Sequence, residues 1–315
     1  MVFESRYFTG ISLAGLFLVY SIIGCGKSET NVSPPVTQQE KAPSVHGGNV
    51  PSMHGASKPD REIETLKATV EANPNDPVAH YNLAVLCEKK GKLDDALDSY
   101  KKVIELNPSS QEALVGHGNV LNKKGRSDDA ISVFEKVLNM NSYNAEAHEG
   151  LGLVYVHKGN KEEALKYFNR AVALNPGLVE SRYNLGILYA KNEQFEEAIA
   201  EWSKALDINP KKTEIHYNLG IAYTRMGRLD DAIIVWQKAM ENTEEVSSFL
   251  YLIGLVHKEK GDLKNAETFL NKALEVDPEF YDIHKVLEEI YRAQGLHSEA
   301  DRHAEIYKNQ ASPHH

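Results

Sequence analysis

A period of 34 residues is the feature that most restricts how this chain can fold. Seven alanines stand at strict intervals of 34 residues: Ala96, Ala130, Ala164, Ala198, Ala232, Ala266 and Ala300. A small residue precedes the first six of them by twelve positions: Ala84, Gly118, Gly152, Gly186, Gly220 and Gly254. Large aromatic residues follow the first five by four positions: Tyr100, Phe134, Phe168, Trp202 and Trp236. A fixed period of this length indicates an array of similar structural units.

The period and the residue pattern together resemble the tetratricopeptide repeat, whose unit is a pair of antiparallel helices. The resemblance implies an all-α fold, a solenoid with a right-handed superhelical path and about seven repeats. With the first unit beginning at Pro77, the repeats fall at 77–110, 111–144, 145–178, 179–212, 213–246, 247–280 and 281–314. Glycine recurs at position fifteen of six units, where we expect a helix to end in the left-handed conformation. In the fourth unit Glu193 takes that place, and we expect Asn192 before it to form the turn.

Both ends of the array have the pattern of caps. Residues 60–76 carry Ile63, Leu66 and Val70 at helical spacing and predict a capping helix ahead of the first repeat. The seventh repeat is degenerate, with Glu288 in place of glycine and Ala304 in place of an aromatic residue. A polar terminal repeat of this kind is what keeps a solenoid soluble.

Residues 1–24 have the layout of a secretory signal, with an apolar run at 11–23 that ends in a small residue. The tetrad Ile22-Ile23-Gly24-Cys25 resembles the lipobox of bacterial lipoproteins, which implies that Cys25 becomes an acylated N-terminus. Gly26 after it resembles the sorting signal for the outer membrane, with the protein facing the periplasm. An uncleaved membrane helix is the alternative. The polar segment 25–59 predicts a disordered tether.

The charge and the motifs argue against nucleic-acid binding and catalysis. A net charge of -10 lacks the basic excess that drives phosphate binding. His148-Glu149 begins a zinc-protease motif, but Gly152 stands where the second histidine belongs. Histidines recur at position four of alternate repeats, too far apart to share a metal ion, and we interpret them as packing residues: His80, His148, His216 and His284. The sequence therefore predicts no enzyme activity, no cofactor and no metal site.

Protein partners are expected on the concave face of such an array, formed by the first helix of each repeat. Positions five and nine of these helices carry aromatic and aliphatic residues, and position six carries asparagines that suit the backbone of an extended peptide. We call the following set the groove residues: Tyr81, Asn82, Val85, Asn119, Leu153, Tyr183, Asn184, Ile187, Tyr217, Asn218, Ile221, Arg225 and Tyr251. Two alternatives stay open, since the tyrosines also suit packing between helices and the flanking charged rows also suit helix dipoles.

These features predict a membrane-anchored adaptor of the bacterial cell envelope. The chain resembles the outer-membrane pilotin lipoproteins of type IV pili, and also the repeat lipoprotein that docks murein hydrolases. It lacks the residue set of carboxylate-clamp co-chaperones. The alternatives are an accessory subunit that presents substrates to an envelope enzyme, such as a hydrolase or a glycosyltransferase, and a homo-oligomeric scaffold.

Overall fold

A computed structural model of the chain describes residues 58–311. The predicted signal peptide, Cys25 and all of the predicted tether except its last two residues lie outside this range. Within it the chain forms fifteen α-helices and no strand, which confirms the predicted all-α repeat fold. The helices are α1 Lys58–Ala72, α2 Pro77–Lys89, α3 Leu93–Leu106, α4 Gln111–Lys123, α5 Ser127–Met140, α6 Ala145–His157, α7 Lys161–Leu174, α8 Val179–Lys191, α9 Phe195–Ile208, α10 Thr213–Arg225, α11 Leu229–Met240, α12 Val246–Glu259, α13 Leu263–Val276, α14 Asp282–Ala293 and α15 His297–Ala311.

Local signals set the ends of the first helix in each repeat. Side chains cap the first three of these helices: Asp76 accepts from Val78 N at 2.8 Å, and Ser110 and Asn144 act in the same way. At the other end six glycines adopt φ between 71° and 77°, as expected: Gly91, Gly125, Gly159, Gly227, Gly261 and Gly295. In the fourth repeat Glu193 itself has φ 60°, whereas Asn192 has φ −98°. The prediction that Asn192 forms this turn was wrong.

The repeated glycines allow the two helices of a repeat to approach closely. A Cβ atom on Gly152 would lie 2.7 Å from the Phe168 ring, and one on Gly118 would lie 2.8 Å from the Phe134 ring. The same Phe134 ring also covers Gly150 of the following repeat. Phe134 therefore fills space both within its own repeat and toward the next.

The described residues fall into two compact units, which we call the N-terminal unit (58–176) and the C-terminal unit (177–311). In the N-terminal unit, Ile63 of α1 is fully buried in a cluster with Leu83, Cys87 and Tyr100. In the C-terminal unit, the largest cluster is centred on Trp236 and the buried apolar residues of α12. Within residues 58–311 every helix is too short or too polar to span a bilayer.

Candidate functional site

The groove residues of the N-terminal unit are accessible. Asn82 is exposed and Val85 is 38% exposed, both on α2. Tyr81, Asn119 and Leu153 are half-buried on α2, α4 and α6. Amide and aliphatic groups are thus presented to solvent by three successive first helices.

A polar network joins α2 to α3 and α4. Tyr100 Oη donates to Glu88 Oε2 at 2.9 Å, and Lys123 Nζ donates to Glu88 Oε1 at 2.8 Å. The Tyr81 ring packs edge-on against Tyr100, with ring centroids 5.9 Å apart. Burial raises the pKa of both phenols, with carboxylates such as Glu88 adding to the effect. Both tyrosines therefore remain neutral hydrogen-bond donors at physiological pH.

The next repeat uses the equivalent pair of positions. His157 Nδ1 donates to Oδ1 of the buried Asn122 at 2.9 Å, and these residues stand 35 apart in sequence, as Glu88 and Lys123 do. Lys123 and His157, in the last turns of α4 and α6, are therefore each tied to the preceding repeat. This network was not predicted, although the oppositely charged Glu88 and Lys123, which stand 35 residues apart, were a signal for its first part.

The groove tyrosines of the C-terminal unit are buried, which corrects the expectation that packing leaves them on the surface. Tyr183, Tyr217 and Tyr251 are 3%, 4% and 7% exposed. Asn218 and Ile221 are also buried, at 6% and 1%.

Contacts both within and between repeats cause this burial. Tyr183 Oη accepts from Asn218 Nδ2 at 3.3 Å, and Trp202 Nε1 donates to the Tyr183 carbonyl at 3.1 Å. The Tyr251 ring lies 4.9 Å from that of Phe280, measured between centroids. These side chains form the core of the C-terminal unit and do not present a binding strip.

The remaining groove residues of the C-terminal unit are at least partly accessible to solvent. Asn184 and Ile187 are half-buried, and Arg225 is exposed at the end of α10. Asn184 Nδ2 donates to the Glu180 carbonyl of its own helix at 2.8 Å. One hydrogen-bond donor of the Asn184 carboxamide is therefore already engaged. The predicted asparagine ladder is therefore divided among an exposed Asn82, an Asn184 bonded to its own helix and a buried Asn218.

Three of the four recurrent histidines contact backbone carbonyls close to them in sequence, which agrees with the packing role interpreted from the sequence. His80 Nε2 lies 2.9 Å from the Pro74 carbonyl, and His216 Nδ1 lies 3.2 Å from that of Lys212. His148 contacts the Ser142 carbonyl in the same way. Among residues 58–311, no three histidine, cysteine or acidic side chains are grouped so that they could hold a metal ion.

Sequence comparison with family models identifies repeats along most of the described chain. Models described as "Tetratricopeptide repeat" match residues 77–110, 115–179 and 167–200. One described as "TPR repeat" matches 188–227, and one described as "YpiA-like, C-terminal tetratricopeptide repeats" matches 214–279. The first match has the bounds of the first predicted repeat. No curated protein sequence matches the chain.

Solved structures share the fold at low sequence identity. A chain of the APC/C hetero-tetramer Cut9-Hcn1 aligns with TM-score 0.56 and 20% identity, over 72% of this chain and 45% of that one. The pilF protein of Pseudomonas aeruginosa aligns with TM-score 0.55 and 19% identity, over 64% of this chain and 92% of that one. A monomeric mutant of IFIT1 with Gppp-AAAA aligns with TM-score 0.55 and 16% identity, over 81% and 68%. This chain thus spans less than half of the Cut9-Hcn1 match. The family matches and the paired helices together show that this chain is a tetratricopeptide-repeat protein, with the fold of a protein-interaction scaffold.

Proposed function

We propose that the protein is a lipid-anchored adaptor of the bacterial cell envelope, which binds a segment of a partner protein along the groove residues of the N-terminal unit. The observation that carries the proposal is the accessibility of Asn82, Val85, Asn119 and Leu153 on successive first helices. Exposed aliphatic groups supply apolar contact, and the carboxamides of Asn82 and Asn119 pair with peptide backbone groups. The net charge of -10 supports a protein partner over a nucleic acid.

The membrane part of the proposal rests on the sequence ahead of the described residues. Cys25 in its lipobox-like setting is the acylation site, and the polar segment after it is the tether. Several acyl chains on one residue give stable anchoring, since each buried methylene contributes about 0.8 kcal/mol. The resemblance to pilotin lipoproteins extends the proposal to an outer-membrane partner in pilus or secretion assembly. The fold shared with the pilF protein is compatible with that role.

Two matched substitutions test the groove. Val85→Lys adds a charge at a groove residue that is 38% exposed, and Met140→Lys adds the same charge at a residue outside the groove that is 41% exposed. Photo-crosslinking from position 119 in envelope extracts should yield a defined partner adduct that Val85→Lys abolishes and Met140→Lys preserves. If both variants give equal adducts, the interface lies elsewhere.

A separate substitution tests the anchor. We expect Cys25→Ser to move the protein from the membrane fraction to the soluble fraction and to remove labelling by a fatty-acid analogue. If the variant stays with the membrane, the lipoprotein assignment fails whatever the result of the groove test.

A further inference from the structure

A pair of histidines joins the last two helices of the C-terminal unit. Nδ1 of His284 on α14 lies 2.7 Å from Nδ1 of His303 on α15. The Tyr291 ring stacks on His303, with centroids 5.3 Å apart. Both imidazoles are half-buried.

The geometry fixes the number of protons that the pair tolerates. A hydrogen bond between two nitrogens needs one proton between them, so one ring donates and the other accepts. A first added proton goes to a distal Nε2 and leaves the contact intact. A second makes both Nδ1 atoms donors, which breaks the bond and sets two positive charges against each other. The two rings therefore titrate as one coupled system.

The surroundings of the two histidines oppose their protonation. Burial lowers the pKa of both histidines, and Arg302 of α15 adds to the effect on each. Glu267 of α13 favours a charge on His303, but it also accepts a hydrogen bond from Tyr291 Oη at 2.9 Å. Arg302 and Glu267 therefore act in opposite directions on the pKa of His303. The neutral pair is thus the form that the folded state prefers.

Few fully buried side chains hold α15 in place, although Ala304, Ile306 and Tyr307 are half-buried. This helix packs mainly against α14, and Ala300 is its only fully buried side chain within residues 297–310. The Arg292–Asp301 ion pair that also links the two helices is exposed, and such pairs contribute little. The buried Ile283, Leu287 and Ile290 of α14 belong instead to the cluster shared with α12 and α13.

We propose that the His284–His303 pair is an acid-sensitive latch that holds α15 on α14 at neutral pH and releases it as the pH falls. Because the rings are more easily protonated in the released state, docking is complete above a pH of about 6.5 and weakens as the pH falls below it. The released helix remains attached through the turn at Gly295, which has φ 77°. The latch is independent of the proposed membrane anchor and of the groove.

Hydrogen exchange of the whole protein tests the latch. Protection factors for residues 297–311, corrected for the intrinsic pH dependence of exchange, should fall by about tenfold or more between pH 7.5 and pH 5. Protection of α10 and α11 should stay constant over the same range.

Substitutions separate the latch from general acid sensitivity. His284→Leu combined with His303→Phe keeps an apolar contact and removes both titrating groups, so α15 protection should become independent of pH. His297→Gln on the same helix removes an exposed histidine and should behave as the unmodified protein does. Equal protection of α15 at both pH values in the unmodified protein would overturn the proposal, as would an undiminished pH response in the double variant.

Discussion

Glu193 is the one described residue other than glycine with a positive φ, and it ends α8 where six other repeats use glycine. A side chain in the left-handed region costs about 1–2 kcal/mol. We expect Glu193→Gly to raise the free energy of unfolding by about 1 kcal/mol, measured by urea denaturation. Gly227→Glu makes the reverse change in the next repeat and should lower stability by a similar amount. A stabilising effect of both substitutions would contradict the strain argument.

His117 breaks the pattern at position seven, where five of the other repeats have leucine and one has isoleucine. Its Nδ1 is buried without a hydrogen-bond partner among the described residues. Burial lowers the pKa of His117, and Arg126 adds to this effect. An unsatisfied buried polar atom costs about 1–3 kcal/mol, so His117→Leu should stabilise the protein.

The same substitution has a pH signature. Because the folded-state pKa lies below the ordinary value of about 6.5, His117 destabilises the fold progressively as the pH falls below that value. The gain from His117→Leu should therefore be larger at pH 5 than at pH 8, as measured by denaturation at both. A gain that is constant with pH would mean that His117 does not titrate in this range.

At the scale of the helix pair, close packing contributes more to stability than ion pairs on the surface do. Gly152→Leu forces a side chain into the space of the Phe168 ring and should cost about 1–3 kcal/mol, seen as a lower melting temperature. Lys158→Ala removes the ion pair with Asp128, whose side chain is 91% exposed, and should leave the melting temperature unchanged. The reverse order of effects would show that ion pairs between repeats, and not the helix crossings, hold the array.

The helices were predictable from the sequence because short-range signals set them. Caps such as Asp76, turn glycines such as Gly91 and the glycine–aromatic spacing of each repeat act within one repeat or between neighbours. The exposure of the groove was not predictable in this way. Tyr183 and Tyr217 occupy the same position as the accessible Tyr81, but Asn218 and Trp202 bond to Tyr183 and bury it. The burial of a tyrosine depends on which side chains the adjoining helices contribute. The 34-residue period does not specify those side chains.

At the scale of the whole molecule, the regularly repeated sequence folds into two compact units, and each unit has its own hydrophobic clusters. The groove differs between them, since its residues are accessible in the N-terminal unit and largely buried in the C-terminal unit. Repeat arrays derive their stability from local terms and nearest-neighbour contacts. Damage to one core should therefore be felt mainly within its own unit.

Two overpacking substitutions test this locality. In Gly220→Leu the new side chain meets Trp236, and hydrogen exchange should lose protection first in α10, α11 and α12 while α2 to α6 keep theirs. In Gly152→Leu the loss should begin in α6 and α7 and leave α10 to α13 protected. Since the two sites share no buried cluster, the destabilisations should add in the double variant to within about 0.5 kcal/mol. Uniform loss of protection across residues 58–311 in either variant would mean that the array unfolds as a single cooperative unit. The two units would then not be independently stable.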